Sequence, residues 1–248
     1  MKRTLYSAVA AVLLGAATVV VPSIANAQDD DGRVFADTGY SVSDDNIWSY
    51  FNQFGGVATF GEPISREFTL AGRNVQVFQN AALAVQPDGS VQPLQLSDPG
   101  LVPYTKLNGL TLPASDQAIA FVAPSPDQPN YDARLQVYVQ ATVPDTWNGQ
   151  HVGFYSTFVN DGGAAVWGLP VSTPAADPNN PSFVYQRFQN GVLFYDASSG
   201  TTQALPLGQY LKTILTGQNV PADLASEAAG ASLFGQYQHA DAFVPDAS

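Results

Sequence analysis

Two stretches of eleven residues, 107 positions apart, are nearly the same: residues 55–65 are GGVATFGEPIS and residues 162–172 are GGAAVWGLPVS. The match continues downstream, where VQVFQNAAL (residues 75–83) meets YQRFQNGVL (185–193) at an offset of 110. The additional residues of the second copy fall in PAADPNNP, whose prolines and asparagines predict a loop. Upstream, ADTGY echoes PDTWN with a shift of one residue. Similarity that is interrupted by a difference in loop length indicates a duplicated folding unit.

Each copy has the pattern of a short helix, a tight corner and a β-hairpin. Apolar residues recur every three or four positions in residues 46–54 and again in 154–159, which predicts a helix with one apolar face, begun in the first copy by Asp44 or Asp45. Asn190-Gly191 is a strong signal for a two-residue hairpin turn. We predict that the glycine pairs end the helices and that a glycine and a proline shape each corner; these structural residues are Gly55, Gly56, Gly61, Pro63, Gly162, Gly163, Gly168 and Pro170.

This order of elements resembles the LGFP-type repeats of secreted bacterial envelope proteins. It is closer to a longer variant of the repeat, in which TG precedes the helix and GGL-x-x-FG-x-PIS precedes VQ-x-F. The resemblance covers about residues 35–96 and 143–206. The first leucine of the motif is replaced by Phe60 and Trp167, and an insert separates the copies. Such repeats often accompany peptidoglycan or polysaccharide hydrolases, and the resemblance implies a role in attachment to the cell wall.

The rest of the chain completes an α+β fold. AIAFVAP and ARLQVYVQATV, between the copies, are strand-like and predict a small β-insert, whereas LGQYLKTIL and PADLASEAAG predict two short C-terminal helices. One unit alone has little core, so we expect it to pack against a neighbour. The predicted division is a signal peptide (1–27), a disordered N-terminus (28–34), LGFP-like repeat 1 (35–110), the β-insert (111–143), LGFP-like repeat 2 (144–206), the C-terminal helices (207–231) and a loose tail (232–248).

The first residues have the three parts of a secretory signal. Lys2 and Arg3 precede an apolar stretch at residues 8–21, and Ala25 and Ala27 stand at the −3 and −1 positions of a cleavage site. The apolar stretch is short for a membrane span, although a retained anchor is the alternative. We therefore expect a secreted protein, extracellular or associated with the cell envelope, without membrane insertion once the signal is removed.

Composition limits the classes of partner. The net charge of −12 repels nucleic acid and anionic lipid headgroups, so we expect neither as a partner. Only 12% of the residues are charged, and this composition favours neutral ligands such as glycans. The absence of cysteine excludes thiol catalysis and disulfide bonds.

No catalytic, metal or cofactor site is legible in the sequence. His151 and His239 are far apart and lack the spacing of a zinc helix. Glu62 and Glu67 are the one carboxylate pair that could serve glycan hydrolysis, but the matched positions of the second copy hold leucine and proline. We interpret both glutamates as solvated charges and expect no enzyme activity.

Aromatic rings and amides are the best candidates for ligand binding, because sugar rings stack on flat side chains and amides bond to hydroxyls. The candidates for glycan binding are Trp147, Trp167, Trp48, Tyr185, Tyr195, Gln76 and Gln186. Two alternatives remain open. The rings can fill the core of a small unit, and the amides can bond to the backbone at the corner. Trp147, in a predicted turn, is the ring that we most expect to be exposed.

We therefore expect a non-catalytic envelope module that binds cell-wall polymer or neutral glycan. The first alternative is an extracellular scaffold that binds another envelope protein. A polysaccharide or peptidoglycan hydrolase is the second alternative.

Overall fold

The elements of the first copy follow the predicted order in a computed structural model, which describes residues 32–98, 101, 105–107, 109–229 and 240–246. The predicted signal peptide and residues 28–31 lie outside the described residues. The first copy contains β1 (Val34–Phe35), β2 (Tyr40–Ser41), α1 (Asp45–Gln53), α2 (Val57–Phe60), β3 (Phe68–Leu70), β4 (Arg73–Val77), β5 (Ala82–Val85) and β6 (Val91–Pro93).

The remaining elements repeat that order after an insert. The insert contains β7 (Lys106–Leu107), β8 (Leu110–Thr111), α3 (Gln117–Val122) and α4 (Tyr131–Thr142). The second copy contains β9 (Thr146–Trp147), β10 (Gln150–His151), α5 (Phe154–Asn160), α6 (Ala164–Trp167), β11 (Ala175–Ala176), β12 (Phe183–Arg187), β13 (Val192–Asp196) and β14 (Thr201–Ala204). It is followed by α7 (Leu207–Thr216), α8 (Ala222–Ala228) and a 3-10 helix (Ala240–Phe243). The fold class is α+β, as predicted.

The two copies begin their first helix in different ways. Asp44 caps α1, as predicted, and accepts hydrogen bonds from the backbone N–H groups of Asn46 and Ile47. In the second copy the residue before α5 is a glycine, and Asp145 instead accepts from the N–H and hydroxyl of Ser156 at 2.8 and 2.7 Å. The ADTGY and PDTWN echo therefore does not mark equivalent aspartates, because Asp37 lies in the turn between β1 and β2.

The corner that follows each helix is built from the same contacts in both copies. Gly61 and Gly168 have φ angles of 72° and 69°, in the region that favours glycine. A Cβ at Gly61 would lie 2.6 Å from Gln79, and one at Gly168 would lie 2.7 Å from Gln189. The Oε1 atoms of these glutamines accept the backbone N–H of the residue after each glycine, at 3.1 and 2.9 Å. The glutamine side chain thus occupies the space that a corner side chain would need.

The next residue along each loop completes the corner. The amide nitrogen of Asn80 donates to the carbonyl of Thr59 at 3.1 Å, and that of Asn190 donates to the carbonyl of Val166 at 2.9 Å. The corner prolines form matching β-bridges to the phenylalanine that precedes each glutamine: Pro63 to Phe78 and Pro170 to Phe188. The duplicated sequence therefore closes into duplicated backbone geometry.

Each predicted hairpin forms the centre of a four-stranded antiparallel sheet, in the orders β3-β4-β5-β6 and β11-β12-β13-β14. The connection in the second copy differs from the predicted two-residue turn. Arg187 pairs with Val192, which leaves a loop of four residues, and neither Asn190 nor Gly191 has a positive φ. The N–H of Phe188 donates to the carbonyl of Gly191 at 2.8 Å and closes this loop. The side chain of Asn190 bonds to the corner and not within the loop.

The predicted β-insert is wrong: the segments that it covers form the helices α3, at residues 117–122, and α4, at residues 131–142. The alternation in LQVYVQ suggested a strand, but Leu135, Tyr138 and Val139 follow the three- and four-residue spacing of a helix face that packs on the core. Val137, which completed the alternation, is 67% exposed. The only strands of the insert among the described residues are the short pair β7 and β8, before the segments that we read as strands.

The C-terminal helices agree with the prediction, and the ends of the chain differ from it in part. Gly217 ends α7 in a left-handed conformation, and Pro221 precedes α8. The tail is not loose at residues 240–246, where the carbonyl of Ala242 accepts the backbone N–H of Arg66 at 2.7 Å. Residues 230–239 and 247–248 lie outside the described residues. Of the predicted disordered N-terminus, residues 32–34 are ordered: Arg33 pairs with Asp45 at 2.8 Å.

Both copies contribute to each of two apolar clusters. The α7 cluster contains Val75, Val77, Ala82, Ala84, Tyr185, Val192, Leu207, Leu211, Ile214 and Leu215. The aromatic cluster contains Ile47, Phe51, Phe60, Phe78, Leu83, Tyr138, Phe154, Phe158, Trp167, Val184, Phe188 and Leu193. Alternate residues of β5 and of β13 face different clusters, as do the neighbours Val184 and Tyr185 of β12, so each sheet packs on two faces. The apolar residues of β4 face the α7 cluster.

The segment that leaves each sheet contacts the hairpin loop of the other copy. After β6, the N–H of Ser97 donates to the carbonyl of Gln189 at 3.2 Å. After β14, the N–H of Gln209 donates to the carbonyl of Gln79 at 3.1 Å. At Gly208 a Cβ would lie 1.8 Å from a backbone carbonyl oxygen of the first copy's loop, so only glycine permits this approach. The two copies therefore form one body through reciprocal contacts.

The corner of the second copy holds a larger ring over a smaller loop residue. Phe60 and Ala81 of the first copy are replaced by Trp167 and Gly191, and a Cβ on Gly191 would lie 3.0 Å from the indole.

We expect Gly191→Ala to lower the free energy of unfolding by about 1 kcal/mol through overpacking. In a Trp167→Phe background the same change should be neutral or stabilising, because the ring that it meets is smaller. Urea unfolding of the four proteins of this double-mutant cycle measures the coupling; an equal effect in both backgrounds would contradict the compensation.

Candidate functional site

Four of the seven residues predicted to bind glycan lie inside the protein. Trp167 is 5% exposed, and Tyr185, Gln76 and Gln186 are fully buried. Trp167 packs against Phe188 in the aromatic cluster, with ring centroids 5.8 Å apart. These side chains cannot reach a ligand in solvent in this structure, and the core-filling alternative describes both rings.

The other three predicted rings are half-buried and pack against the aromatic cluster. These are Trp48, Trp147 and Tyr195. Trp48 is stacked on Phe51 at 5.7 Å, and the guanidinium of Arg33 lies 5.4 Å from its ring centre. Trp147 lies in the β9–β10 hairpin, opposite Gln150. The structure therefore does not collect the aromatic candidates into one exposed platform.

The two buried glutamines bond to the backbone in matching ways. The amide nitrogen of Gln76 donates to the carbonyls of Ser65 and Ser41 at 3.0 and 2.7 Å. That of Gln186 donates to the carbonyls of Ser172 and Thr142 at 3.1 and 2.7 Å. Each bond to serine ties a central strand to the end of its corner, and this accounts for the repeated glutamine without a ligand.

The carboxylates considered for hydrolysis have different surroundings. Glu67 accepts hydrogen bonds from the hydroxyl of Ser43, the N–H of Asp44 and the amide of Asn74, at 2.8, 2.7 and 3.0 Å. These bonds hold it as a brace between the start of α1 and the sheet. Glu62 lies in the corner of the first copy, where its backbone N–H bonds to Gln79.

Metal and histidine chemistry find little support in the part of the chain that the structure describes. Within it, no group of three or more His, Cys, Asp or Glu residues could hold a metal ion. His151 is exposed on β10, and His239 lies outside the described residues. Nor is any described helix of sufficient length and apolar character to cross a membrane.

A polar cleft of about 500 Å³ lies where the two copies meet. This interface cleft is lined by Ala58, Asn80, Thr157, Asn160, Asp161, Thr202, Gln203 and Ala204. Its volume is within the range of roughly 300–1,000 Å³ that is usual for small-molecule sites. The lining offers hydroxyls, amides and one carboxylate, and it contains no cationic side chain.

Asp161 is the only titratable residue among the described residues that line the interface cleft. It is half-buried, and its carboxylate has no hydrogen-bond or ion-pair partner among the described residues. Desolvation by burial raises the pKa of the Asp161 carboxyl from its ordinary 3.8 to about 6. An unpartnered, partly buried charge costs stability at neutral pH, and such groups are concentrated at functional sites.

A second surface feature lies on the helical insert. Phe121, Val122 and Val137 are 89%, 66% and 67% exposed, and they line a shallow groove of about 650 Å³ between α3 and α4. Exposed apolar side chains that are grouped in this way are typical of interaction surfaces. This surface was not predicted, because the sequence analysis assigned strands to the segments that form α3 and α4.

Sequence reasoning singled out none of the residues that line the interface cleft. One signal was available: at the helix offset of 107, Asp161 takes the place of Phe54, so the apolar face of the second helix ends in a carboxylate. That Asp161 faces a cleft depends on the packing of one copy against the other. Local sequence does not reveal this packing.

Comparison with known proteins adds no relative. No family model, no curated protein and no solved structure matches the chain.

The raised pKa of Asp161 predicts a pH-dependent gain in stability on removal of its charge. Between pH 4 and 6 the folded state holds the proton more tightly than the unfolded state, so the stability of the wild type falls as pH rises through this window. Asp161→Asn lacks this loss. Because solvent screens part of the effect on this half-buried carboxyl, the free energy of unfolding of Asp161→Asn should exceed that of the wild type by about 1 kcal/mol at pH 7.

The excess should disappear near pH 3, below the ordinary carboxyl pKa of 3.8, where both states of the wild type bind the proton. Urea unfolding at the two pH values measures it. Asp37→Asn, at an exposed turn outside the cleft, is the matched control for loss of one carboxylate. An equal stability difference for Asp161→Asn at both pH values would show that the carboxyl is not desolvated.

Proposed function

We propose that this chain is an exported, non-catalytic module of the cell envelope that binds cell-wall polymer or neutral glycan, and that its two copies are LGFP-like repeats. The observation that carries the proposal is the repeated corner. Gly61 and Gly168, closed by Gln79 and Gln189, reproduce the resembling motif with the same hydrogen bonds in both copies. The agreement of these contacts supports the interpretation of both copies as one kind of repeat.

The chemistry of the surface supports a neutral ligand. The chain has a net charge of −12, and one of its carboxylates, Asp161, lines the interface cleft, where no described lining residue supplies a cation. Phosphate-bearing or acidic polymers would meet repulsion there. Hydroxyl-rich, uncharged polymers would meet amides and hydroxyls, which can donate and accept hydrogen bonds.

A protein-binding scaffold is the second candidate, and the helical insert favours it. Phe121 and Val122 at the end of α3 and Val137 on α4 expose apolar surface that no described residue covers. Burial of Trp167 also favours this candidate, because the ring is not available to stack on a sugar. The two roles use separate surfaces and are compatible in one protein.

Retention on purified cell wall tests the leading proposal. The mature chain, from residue 28, should be retained by insoluble cell-wall polysaccharide and should bind spots of neutral oligosaccharide on a glycan array. Added salt should leave the retention unchanged, because the expected contacts are hydrogen bonds and not ion pairs. No retention above a buffer control, together with no signal on the array, would contradict the proposal.

Substitution on the insert separates the two candidates. Phe121→Asp should leave wall retention unchanged, since the residue lies outside the interface cleft. If the scaffold alone is correct, light scattering should show association that this substitution abolishes and that added sugar does not affect.

A further inference from the structure

The two helices α1 and α5 take the same place in their copies but meet the other copy differently. On the α1 side, two aromatic residues fill the space against α6. The hydroxyl of Tyr50 donates to the carbonyl of Ala165 at 2.7 Å. The ring of Phe54 lies so close to Gly162 that a Cβ there would be 2.6 Å from it. This contact between the copies is closed.

The α5 side carries the equivalent positions with smaller, polar residues. At the offset of 107, Tyr50 corresponds to Thr157, Phe54 corresponds to Asp161, and Ala165 corresponds to Ala58. Thr157, Asp161 and Ala58 all line the interface cleft. The cleft is thus the counterpart of the closed contact, opened by loss of both aromatic rings.

The stability of the protein does not require this opening. The first copy shows that the same arrangement of helix and corner accepts a tyrosine and a phenylalanine, with a hydrogen bond across the interface. In the second copy the replacement leaves a half-buried carboxylate with no partner among the described residues. A change that gives up packing and adds an unpaired charge is typical of a binding site and not of a core.

The lining determines the class of ligand. Several of its polar side chains are already partly committed: the amide nitrogen of Asn80 bonds to Thr59, and that of Gln203 bonds to the hydroxyl of Thr201. Their amide oxygens remain as acceptors, in addition to the carboxylate of Asp161. Acceptors in excess, with no cation among the lining residues, suit a ligand that presents several hydroxyl donors. A carboxylate that accepts two neighbouring hydroxyls forms the stronger, charge-assisted kind of hydrogen bond.

We propose that the interface cleft is the ligand site of this chain, that it binds a neutral sugar unit of the polymer through the hydroxyls of that unit, and that each chain carries one such site because Tyr50 and Phe54 close its counterpart. This inference rests on the proposed function and locates it. Asp161 accepts ligand hydroxyls, and Thr157 supplies the space and a further hydroxyl at the rim.

The sharpest test restores the first copy's residues in the second. The double variant Thr157→Tyr, Asp161→Phe fills the cleft with side chains that the duplicated arrangement is known to accept. It should fold with a thermal midpoint near that of the wild type and should bind neutral oligosaccharides on the array at least tenfold more weakly. Thr69→Tyr, at an exposed position of β3, together with Asp37→Asn, is the control for added bulk and lost charge and should bind as the wild type does.

A second variant keeps the test decisive if the double variant does not fold. Asp161→Asn retains the shape of the cleft and should weaken binding by about tenfold, since charge-assisted hydrogen bonds are lost while the protein becomes more stable at neutral pH. A merely structural role for Asp161 would not separate binding from stability in this way.

The outcomes distinguish the two levels of the proposal. If the wild type binds neither wall polysaccharide nor the array, the proposed function fails and the inference fails with it. If the wild type binds, and the folded double variant or Asp161→Asn binds equally well, the function stands and the interface cleft is not the site. Titration with one array-positive oligosaccharide should give one site per chain; two sites would overturn the assignment.

Discussion

The structure depends on the contact of each copy's departing segment with the hairpin loop of the other copy. Ser97 and Gln209 donate backbone hydrogen bonds to the carbonyls of Gln189 and Gln79, and these two glutamines also close the corners of their own copies. Gln79 and Gln189 therefore each do two things: the side chain closes the corner of its own copy, and the backbone carbonyl accepts a hydrogen bond from the other copy. Because each sheet packs on two faces in clusters that contain side chains from both copies, neither copy holds a complete core alone. The duplication is stable as a pair, and a ligand site at the interface is held by both copies.

This arrangement explains why the repeated motif does not itself face a ligand. Its aromatic residues fill the core and its amides satisfy the backbone, so the repeated positions are constrained by folding. Freedom to vary lies where the copies differ, as at Phe54 and Asp161. Duplication supplies a body in which one of two equivalent contacts can be opened while the other continues to hold the copies together. The energetic consequence is local: one carboxylate is desolvated and two aromatic rings are missing, whereas the two apolar clusters that both copies share are unchanged.

The parts of the fold that follow from local physical chemistry could be predicted from the sequence. These were the capped helix at Asp44, the corner at Gly61 and the hairpin cores, because each is set by residues close together in the chain. The insert could not be predicted in the same way, because its short apolar alternation fits a strand as well as a helix. The helix is the observed structure, and it buries Tyr138 against the core. The cleft also escaped prediction. Asp161 is an ordinary helix-end residue in sequence, and the cleft that it lines is completed by Ala58 and Asn80 of the other copy.

The central claim is that the two copies unfold as one body because each completes the other. Native-state hydrogen exchange tests it most directly, through the backbone N–H groups of Gln79 and Gln189. They lie in equivalent corners of the two copies, and each donates to the carbonyl of the residue after its corner glycine. The account predicts that both amides exchange through a single global opening, with equal free energies and equal dependence on denaturant. Exchange of one corner at a free energy several kcal/mol below the other, while the second copy stays protected, would contradict it.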